Sequence, residues 1–91
     1  MTIRRHAVRR DANEPAIVDA LEAIGVVVHR LSAPGLPDLL TWHPREGLRL
    51  IEVKMPGGSL TVQQQTTRER TPFAIVESVT DALALFGIYD C

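Results

Sequence analysis

Apolar residues recur along this chain with two different periods, and each change of period marks a predicted element. Ile17 and Leu21 lie at helical spacing with alanines beside them, which predicts a first helix over residues 14–24. Asn13 is its predicted cap, because the proline at position 15 is tolerated only in a first turn.

The segments that follow are short, apolar and rich in β-branched residues, and each is bounded by glycine, proline or polar residues. They predict four strands, at 26–29, 38–41, 48–54 and 73–76. A polar helix over 62–70 precedes the fourth strand, and a last helix over 81–86, capped by Thr80, follows it. The predicted order is αβββαβα, with the first three strands in a meander.

Charged side chains interrupt the second and third predicted strands. Glu52 and Lys54 project to the same face because alternate residues of a strand share a face. If the two strands pair antiparallel, Asp38 lies beside Glu52. Two such carboxylates are stable together only if one is protonated or a cation lies between them, and Mg²⁺ and Mn²⁺ prefer oxygen ligands of this kind. The pattern therefore predicts a metal site.

Two further polar residues each allow a functional and a structural interpretation. Glu14 shares the stripe of Ile17 that faces the sheet, but the helix dipole alone favours a glutamate in a first turn. Gln64 could reach the site from the second helix, but Thr61 and Gln64 also match a capping box. Both interpretations stay open for both residues.

Length and charge narrow the class of protein. A chain of 91 residues forms one small domain, near the size at which a dimer often adds stability. The net charge of −1 argues against a nucleic-acid partner, but four of the ten basic residues stand in the first ten positions. This basic arm, residues 1–12, is either a solvated tail or a contact to phosphates.

The expected compartment is the cytoplasm. No apolar run approaches the ~20 residues that cross a bilayer, and the first ten residues lack the apolar centre of a signal peptide. The single cysteine, Cys91, fits a reducing compartment.

Together the charged residues resemble the PD-(D/E)xK nuclease superfamily. Its signature stands here as Pro37-Asp38 and Glu52-Val53-Lys54, with Glu14 on the preceding helix. Within the superfamily the chain is most similar to VRR-NUC (virus-type replication-repair nuclease) domains, and it is also similar to archaeal-type Holliday junction resolvases. The resemblance implies an α/β, restriction-endonuclease-like αβββαβα core with a mixed sheet flanked by helices. It implies one nuclease domain over 1–91, with its core at 13–87.

The resemblance also implies an activity and a set of roles. The expected protein is a homodimeric, Mg²⁺-dependent DNA endonuclease, with Mn²⁺ able to substitute. It would be selective for Holliday junctions, flaps or other branched DNA and would act in DNA repair in a phage or prophage setting, in the host cytoplasm if phage-encoded. Asp38 and Glu52 would bind the metal directly, assisted by the backbone carbonyl of Val53, and Glu14 would bind through water or complete a second site.

The remaining implied roles concern the attacking water and the substrate. Lys54 would orient or deprotonate the water, and Gln64 would contact that water or a phosphate oxygen. The residues expected to contact DNA are Arg4, Arg5, Arg9, Arg10, Ser32, Gly35 and Arg68.

Two alternatives come from other classes of protein. The first is a catalytically silent DNA-binding or assembly module with the same fold, against which the full set of site residues argues. The second is an ordinary α/β interaction protein in which Glu52 and Lys54 form a buried ion pair.

Overall fold

The computed structural model describes residues 10–89 and confirms the predicted element order. Three of the predicted arm arginines, Arg4, Arg5 and Arg9, lie outside the described residues. The elements are α1 (Glu14–Ala23), β1 (Val27–Arg30), β2 (Leu39–His43), β3 (Gly47–Val53), α2 (Val62–Arg70), β4 (Ala74–Val76) and α3 (Val79–Ala84).

The strands form one mixed sheet in the order β1-β2-β3-β4. The first three make the predicted antiparallel meander, and β4 returns parallel to β3 after α2. Such a parallel return needs a crossover connection, which α2 and its flanking loops supply. The α/β fold with a mixed sheet flanked by helices is therefore confirmed.

The hydrophobic core lies between one face of the sheet and the helices α1 and α3. Ile17 and Leu21 of α1 are fully buried, as the helical spacing predicts, and they pack with Leu39 and Ile51 of the sheet and with Phe86. Because these residues alternate with their strand neighbours, the other sheet face presents a different set of side chains.

That second face carries the charged residues of β3 at one end and an apolar row at the other. Glu52 alternates with the buried Ile51, so it projects away from α1. At the far end, register aligns Val27, Trp42 and Leu48 across three strands, and they are 44%, 46% and 70% exposed.

The structure corrects one predicted helix cap and confirms the position of the other. The last helix begins at Val79, and its cap is Ser78, not Thr80, because the Ser78 hydroxyl accepts the backbone N–H of Asp81. Asn13 precedes α1 as predicted but, within residues 10–89, its side chain makes no capping hydrogen bond. No helix in this part of the chain is long and apolar enough to cross a membrane.

Candidate active site

The two carboxylates predicted to share a site meet at one end of the sheet. Leu39 lies opposite Ile51 in the β2–β3 register, so Asp38 and Glu52, one position beyond each, also face each other. Asp38 Oδ2 accepts the backbone N–H of Val53 at 2.9 Å, which fixes its carboxylate against the end of β3. The predicted proximity of the two acids is confirmed.

Glu52 is the more constrained of the two acids. It is 2% exposed, and its Oε2 accepts the Gln64 side-chain amide at 2.9 Å and lies 3.3 Å from Lys54 Nζ. Its Oε1 is buried and has no hydrogen-bond partner among the described residues. Burial, and after it the charge on Asp38, raises the pKa of Glu52, and the contacts of Lys54 and Gln64 offset only part of this rise. The positive charge of Lys54 therefore compensates the buried Glu52 carboxylate only in part.

Gln64 forms the predicted capping box and also reaches the acidic pair, whereas its contact with water or phosphate stays a prediction. Its Oε1 accepts the backbone N–H of Thr61, and the Thr61 hydroxyl accepts the backbone N–H of Gln64, so the capping box is complete. The other end of the same amide donates to Glu52. A glutamine suits this position because it accepts at one end and donates at the other, whereas a glutamate would add a third negative charge.

Lys54 lies one residue beyond β3, and its backbone is nevertheless fixed. Its N–H donates to Val76 O at 2.9 Å, and Asn13 Nδ2 donates to both Lys54 O at 3.1 Å and Glu77 O at 3.0 Å. The Asn13 side chain therefore joins the start of α1 to the ends of β3 and β4 instead of capping its own helix. This contact holds Lys54 where its ammonium group can reach Glu52.

Glu14 lies on the opposite side of the sheet from Glu52. Its carboxylate is 1% exposed on the buried stripe of α1 and accepts Arg30 Nε at 3.0 Å. Arg10 Nη1 lies 3.5 Å from its other oxygen. The structure thus confirms the inward orientation but gives Glu14 two arginine partners and does not bring it against the Asp38–Glu52 pair. Its role as a metal ligand stays a prediction.

Arg10, at the end of the basic arm, places its guanidinium between Glu14 and Asp38. Its Nη1 lies 3.4 Å from Asp38 Oδ1. Its Nη2 donates to Leu31 O at 2.8 Å and to Ser32 Oγ at 3.4 Å. A residue predicted to contact DNA is therefore also a direct neighbour of a predicted metal ligand.

An open cleft of about 230 Å³ gives access to the acidic pair. Its walls are the loop after β1 and the first turn of α2, and it contains Asp38, Glu52, Lys54 and Gln64 together with Ser32 and Gly35. Gly35 has φ +79°, and a Cβ there would come within 3.3 Å of Gln63 Cβ, so glycine lets the loop approach α2.

Arg68 is the predicted DNA-contact residue that the structure places elsewhere. It lies in the last turn of α2, donates to Phe73 O at 3.1 Å, and stacks over the Phe73 ring. It does not line the cleft. A DNA contact by Arg68, and those predicted for Ser32 and Gly35, stay predictions.

The donor set at the acidic pair fits a hard divalent cation. Asp38 Oδ2 accepts a backbone N–H at 2.9 Å, so Oδ1 is the less engaged oxygen of that carboxylate. In Glu52 the buried, unpaired Oε1 is the corresponding atom. Within residues 10–89, no three acidic, histidine or cysteine side chains come together to hold a metal. A site here would therefore need the predicted Val53 carbonyl and water to complete its coordination.

Sequence reasoning missed Arg30 and the bridging role of Asn13. Each acts through a contact between distant parts of the chain: Arg30 pairs with Glu14 across 16 positions, and Asn13 reaches Glu77 across 64. No local spacing announces such contacts. For Arg30 the sequence offered one usable signal: it is a charged residue at the end of a strand, and Glu14 on the inward stripe of the preceding helix needs a partner.

Comparisons with known proteins identify relatives of this fold. The VRR-NUC domain family matches residues 13–70, which include every residue of the acidic cleft except Asp11. A solved structure described as a VRR_NUC domain superposes with a TM-score of 0.65 and 26% sequence identity, over 88% of this chain and 100% of that chain. A search of curated proteins found no significant match.

Proposed function

Because the chain belongs to the VRR-NUC domain family, whose fold is of the nuclease type, we propose that it is a metal-dependent endodeoxyribonuclease that hydrolyses phosphodiester bonds. The observation that carries the proposal is the Glu52 carboxylate, buried against Asp38 with one oxygen unpaired. A carboxylate pair of this kind costs stability unless a cation binds it. Its position in an open cleft makes that cation accessible to a substrate.

Asp38 and Glu52 would hold Mg²⁺ or Mn²⁺ through Oδ1 and Oε1, with the Val53 carbonyl as a further ligand. When bound, such a cation supplies positive charge against the scissile phosphate and lowers the pKa of water. The protein contributes the fixed positions of its ligands, because Asp38 is held by the Val53 N–H and Glu52 by Gln64.

Lys54 is the positive group that the chain places beside Glu52. Its ammonium lies 3.3 Å from Glu52 Oε2 and faces the same cleft. From there it would orient the attacking water and stabilise the negative charge that develops on the phosphate oxygens. Gln64 would keep the shared Glu52 oxygen in place, so Glu52 and Lys54 stay aligned.

Branched DNA is the proposed substrate, and a homodimer is the proposed active form. The twofold symmetry of a dimer would present two clefts to the paired strands of a junction. The apolar row of Val27, Trp42 and Leu48 supports a second copy as its occupant, because the row is uncharged and lies at the end of the sheet face remote from the cleft. Light scattering of the wild type and of Trp42→Ser tests this, with a shift to monomer expected in the variant.

A cleavage assay tests the proposed activity. The full chain is incubated with a labelled four-way junction, a flap, linear duplex and single strand, each with Mg²⁺, Mn²⁺ or EDTA. We expect metal-dependent cutting that is fastest on a branched substrate and is lost in Glu52→Gln. The matched control is Glu22→Gln, an exposed carboxylate of α1 outside the cleft, which should cut like the wild type.

The silent module is the alternative that the same assay distinguishes. It predicts binding to branched DNA with no cutting under any metal condition. Cutting that persists in EDTA, or that survives in Glu52→Gln, would contradict a metal site at the Asp38–Glu52 pair.

A further inference from the structure

The Arg10 guanidinium occupies a position that a bound cation would also need. Its Nη1 lies 3.4 Å from Asp38 Oδ1 and 3.5 Å from Glu14 Oε1, so one positive group is shared by two carboxylates on different sides of the sheet. The sequence assigned Arg10 only to a DNA-contacting arm. The structure adds a contact to the acidic pair itself.

The competition concerns a single oxygen atom. Asp38 Oδ2 already accepts the Val53 N–H at 2.9 Å, so Oδ1, whose contact to Arg10 is longer, has more lone-pair capacity left for a metal. Oδ1 is also the atom that Arg10 contacts. A guanidinium and a divalent cation repel each other, and at ligand distances both cannot hold the same carboxylate oxygen without loss.

On the basis of the proposed function, we propose that Arg10 is a displaceable counter-ion that competes with the divalent cation for Asp38 Oδ1 and so sets the metal affinity of the site. The 24% exposure of its side chain leaves the guanidinium a path to solvent. Its contacts to Asp38 and Glu14 are long for charged pairs, so they yield readily to a stronger ligand.

Displacement of Arg10 leaves no buried acid without a partner. Glu14 keeps Arg30, whose Nε donates to it at 3.0 Å. Asp38 exchanges the guanidinium for the incoming cation. Because Arg30 stays at Glu14, the departure of Arg10 costs mainly its hydrogen bond to Leu31 O, a carbonyl beside the open cleft that water can reach in its place.

Metal binding without DNA tests the inference. Manganese binding to the full chain is measured by electron paramagnetic resonance and by calorimetry in the wild type, Arg10→Gln, Arg10→Lys and Arg45→Gln. Arg10→Gln should bind Mn²⁺ about tenfold more tightly, because one positive charge beside the site is lost. Arg10→Lys should resemble the wild type.

Arg45→Gln is the matched control, because it removes the same charge from the β2–β3 turn at the other end of the strands. Its manganese affinity should equal that of the wild type. Unchanged or weaker binding in Arg10→Gln would overturn the inference, as would an equal gain in Arg45→Gln, which would reduce the effect to net charge.

A measurement on the wild type covers the case in which Arg10→Gln does not fold. The ¹⁵N-labelled Arg10 side chain is followed by NMR during a Mg²⁺ titration, and its guanidinium protons should exchange faster with water as the metal binds. Slower or unchanged exchange at saturation would contradict displacement. Failure of the proposed function is separate: manganese binding that survives in Asp38→Asn would place the metal elsewhere, whatever Arg10 does.

Discussion

The two buried glutamates of this chain have opposite surroundings. Glu14 and Glu52 are 1% and 2% exposed, so both lie in the interior. Glu14 is met by two arginines, whereas Glu52 has one lysine and one neutral amide, faces a second carboxylate, and keeps an unpaired oxygen. The first acid is satisfied by the protein alone, and the second is not.

Under the proposed function, this difference is what would separate a metal-binding acid, Glu52, from an acid that the protein already compensates, Glu14. Buried charges cost free energy unless they are paired, so an under-compensated carboxylate persists where a ligand completes it. Glu52 lies in the cleft, whereas Glu14 is on the buried face of α1. Burial alone would not have distinguished them.

The largest expected effect is on DNA cleavage by the two glutamine variants. Glu52→Gln should lower the single-turnover rate about 1000-fold, because loss of a direct metal ligand removes several kcal/mol of transition-state stabilisation. Glu14→Gln should lower it less than about tenfold when assayed well below its unfolding temperature. Equal losses in both variants would break the distinction between the two acids.

Removal of the Lys54 charge should have the next largest effect. Lys54→Met keeps the length and apolar stem of the side chain and should slow cleavage about 100-fold, with DNA binding little changed. Single-turnover kinetics and an anisotropy titration separate the two quantities. Loss of DNA affinity at an unchanged cleavage rate would assign Lys54 to substrate binding instead.

The stability of the metal-free protein should respond with opposite signs at the two acids. Glu14→Ala should lower the free energy of unfolding by about 2 kcal/mol, because it leaves Arg30 without its partner. Glu52→Gln should raise it at neutral pH, because burial and Asp38 raise the pKa of Glu52 and so make its charged form unfavourable in the native state. Urea denaturation measures both.

The gain in Glu52→Gln should depend on pH in a defined direction. The pKa of Glu52 is raised in the native state by burial and by Asp38, so the native state takes up this proton first as the pH falls. The cost of the charged acid is complete above the native pKa and disappears below the ordinary glutamate pKa of about 4.3. The gain should therefore shrink on acidification, and a gain that grows would contradict the assignment.

The smallest expected effect on cleavage comes from Asn13, whose side chain holds the backbone of Lys54. Asn13→Ala removes both hydrogen bonds to the ends of β3 and β4 and should cost about 1–2 kcal/mol of stability. It should also slow cleavage severalfold without weakening metal binding. Asn13→Asp keeps the size of the side chain but loses the two N–H donors, so it should behave in the same way. Full cleavage activity in both variants would show that Asn13 contributes only to stability.

The sequence predicted the contacts that depend on local geometry. Strand parity placed Glu52 with Lys54, and antiparallel pairing placed Asp38 beside Glu52, and both contacts are present. Helical spacing likewise turned Glu14 inward. These results follow from periods of two and 3.6 residues, which any strand or helix obeys.

Contacts between elements that meet only in the folded chain could not be predicted from these periods. Whether Glu14 is a metal ligand or a structural acid depends on Arg10 and Arg30, which approach it only in the folded chain. At Gln64 the capping box and a contact with the acidic pair coexist, because its amide has two chemically different ends. Asn13 is the N-cap residue of α1 as predicted, but its side chain bonds to Lys54 O and Glu77 O and not to its own helix. The predicted cap Thr80 was wrong because α3 begins earlier, with Ser78 as its cap.

The position of a bound metal tests most directly whether Asp38 and Glu52 form a metal site. A crystal structure of the wild type grown with Mn²⁺, refined with anomalous data, should show a peak about 2.1 Å from both Asp38 Oδ1 and Glu52 Oε1, with the Arg10 guanidinium moved away from Asp38. A peak ligated by Glu14 would contradict a metal site at the Asp38–Glu52 pair. Full metal occupancy with Arg10 still on Asp38 Oδ1 would contradict the displacement of Arg10.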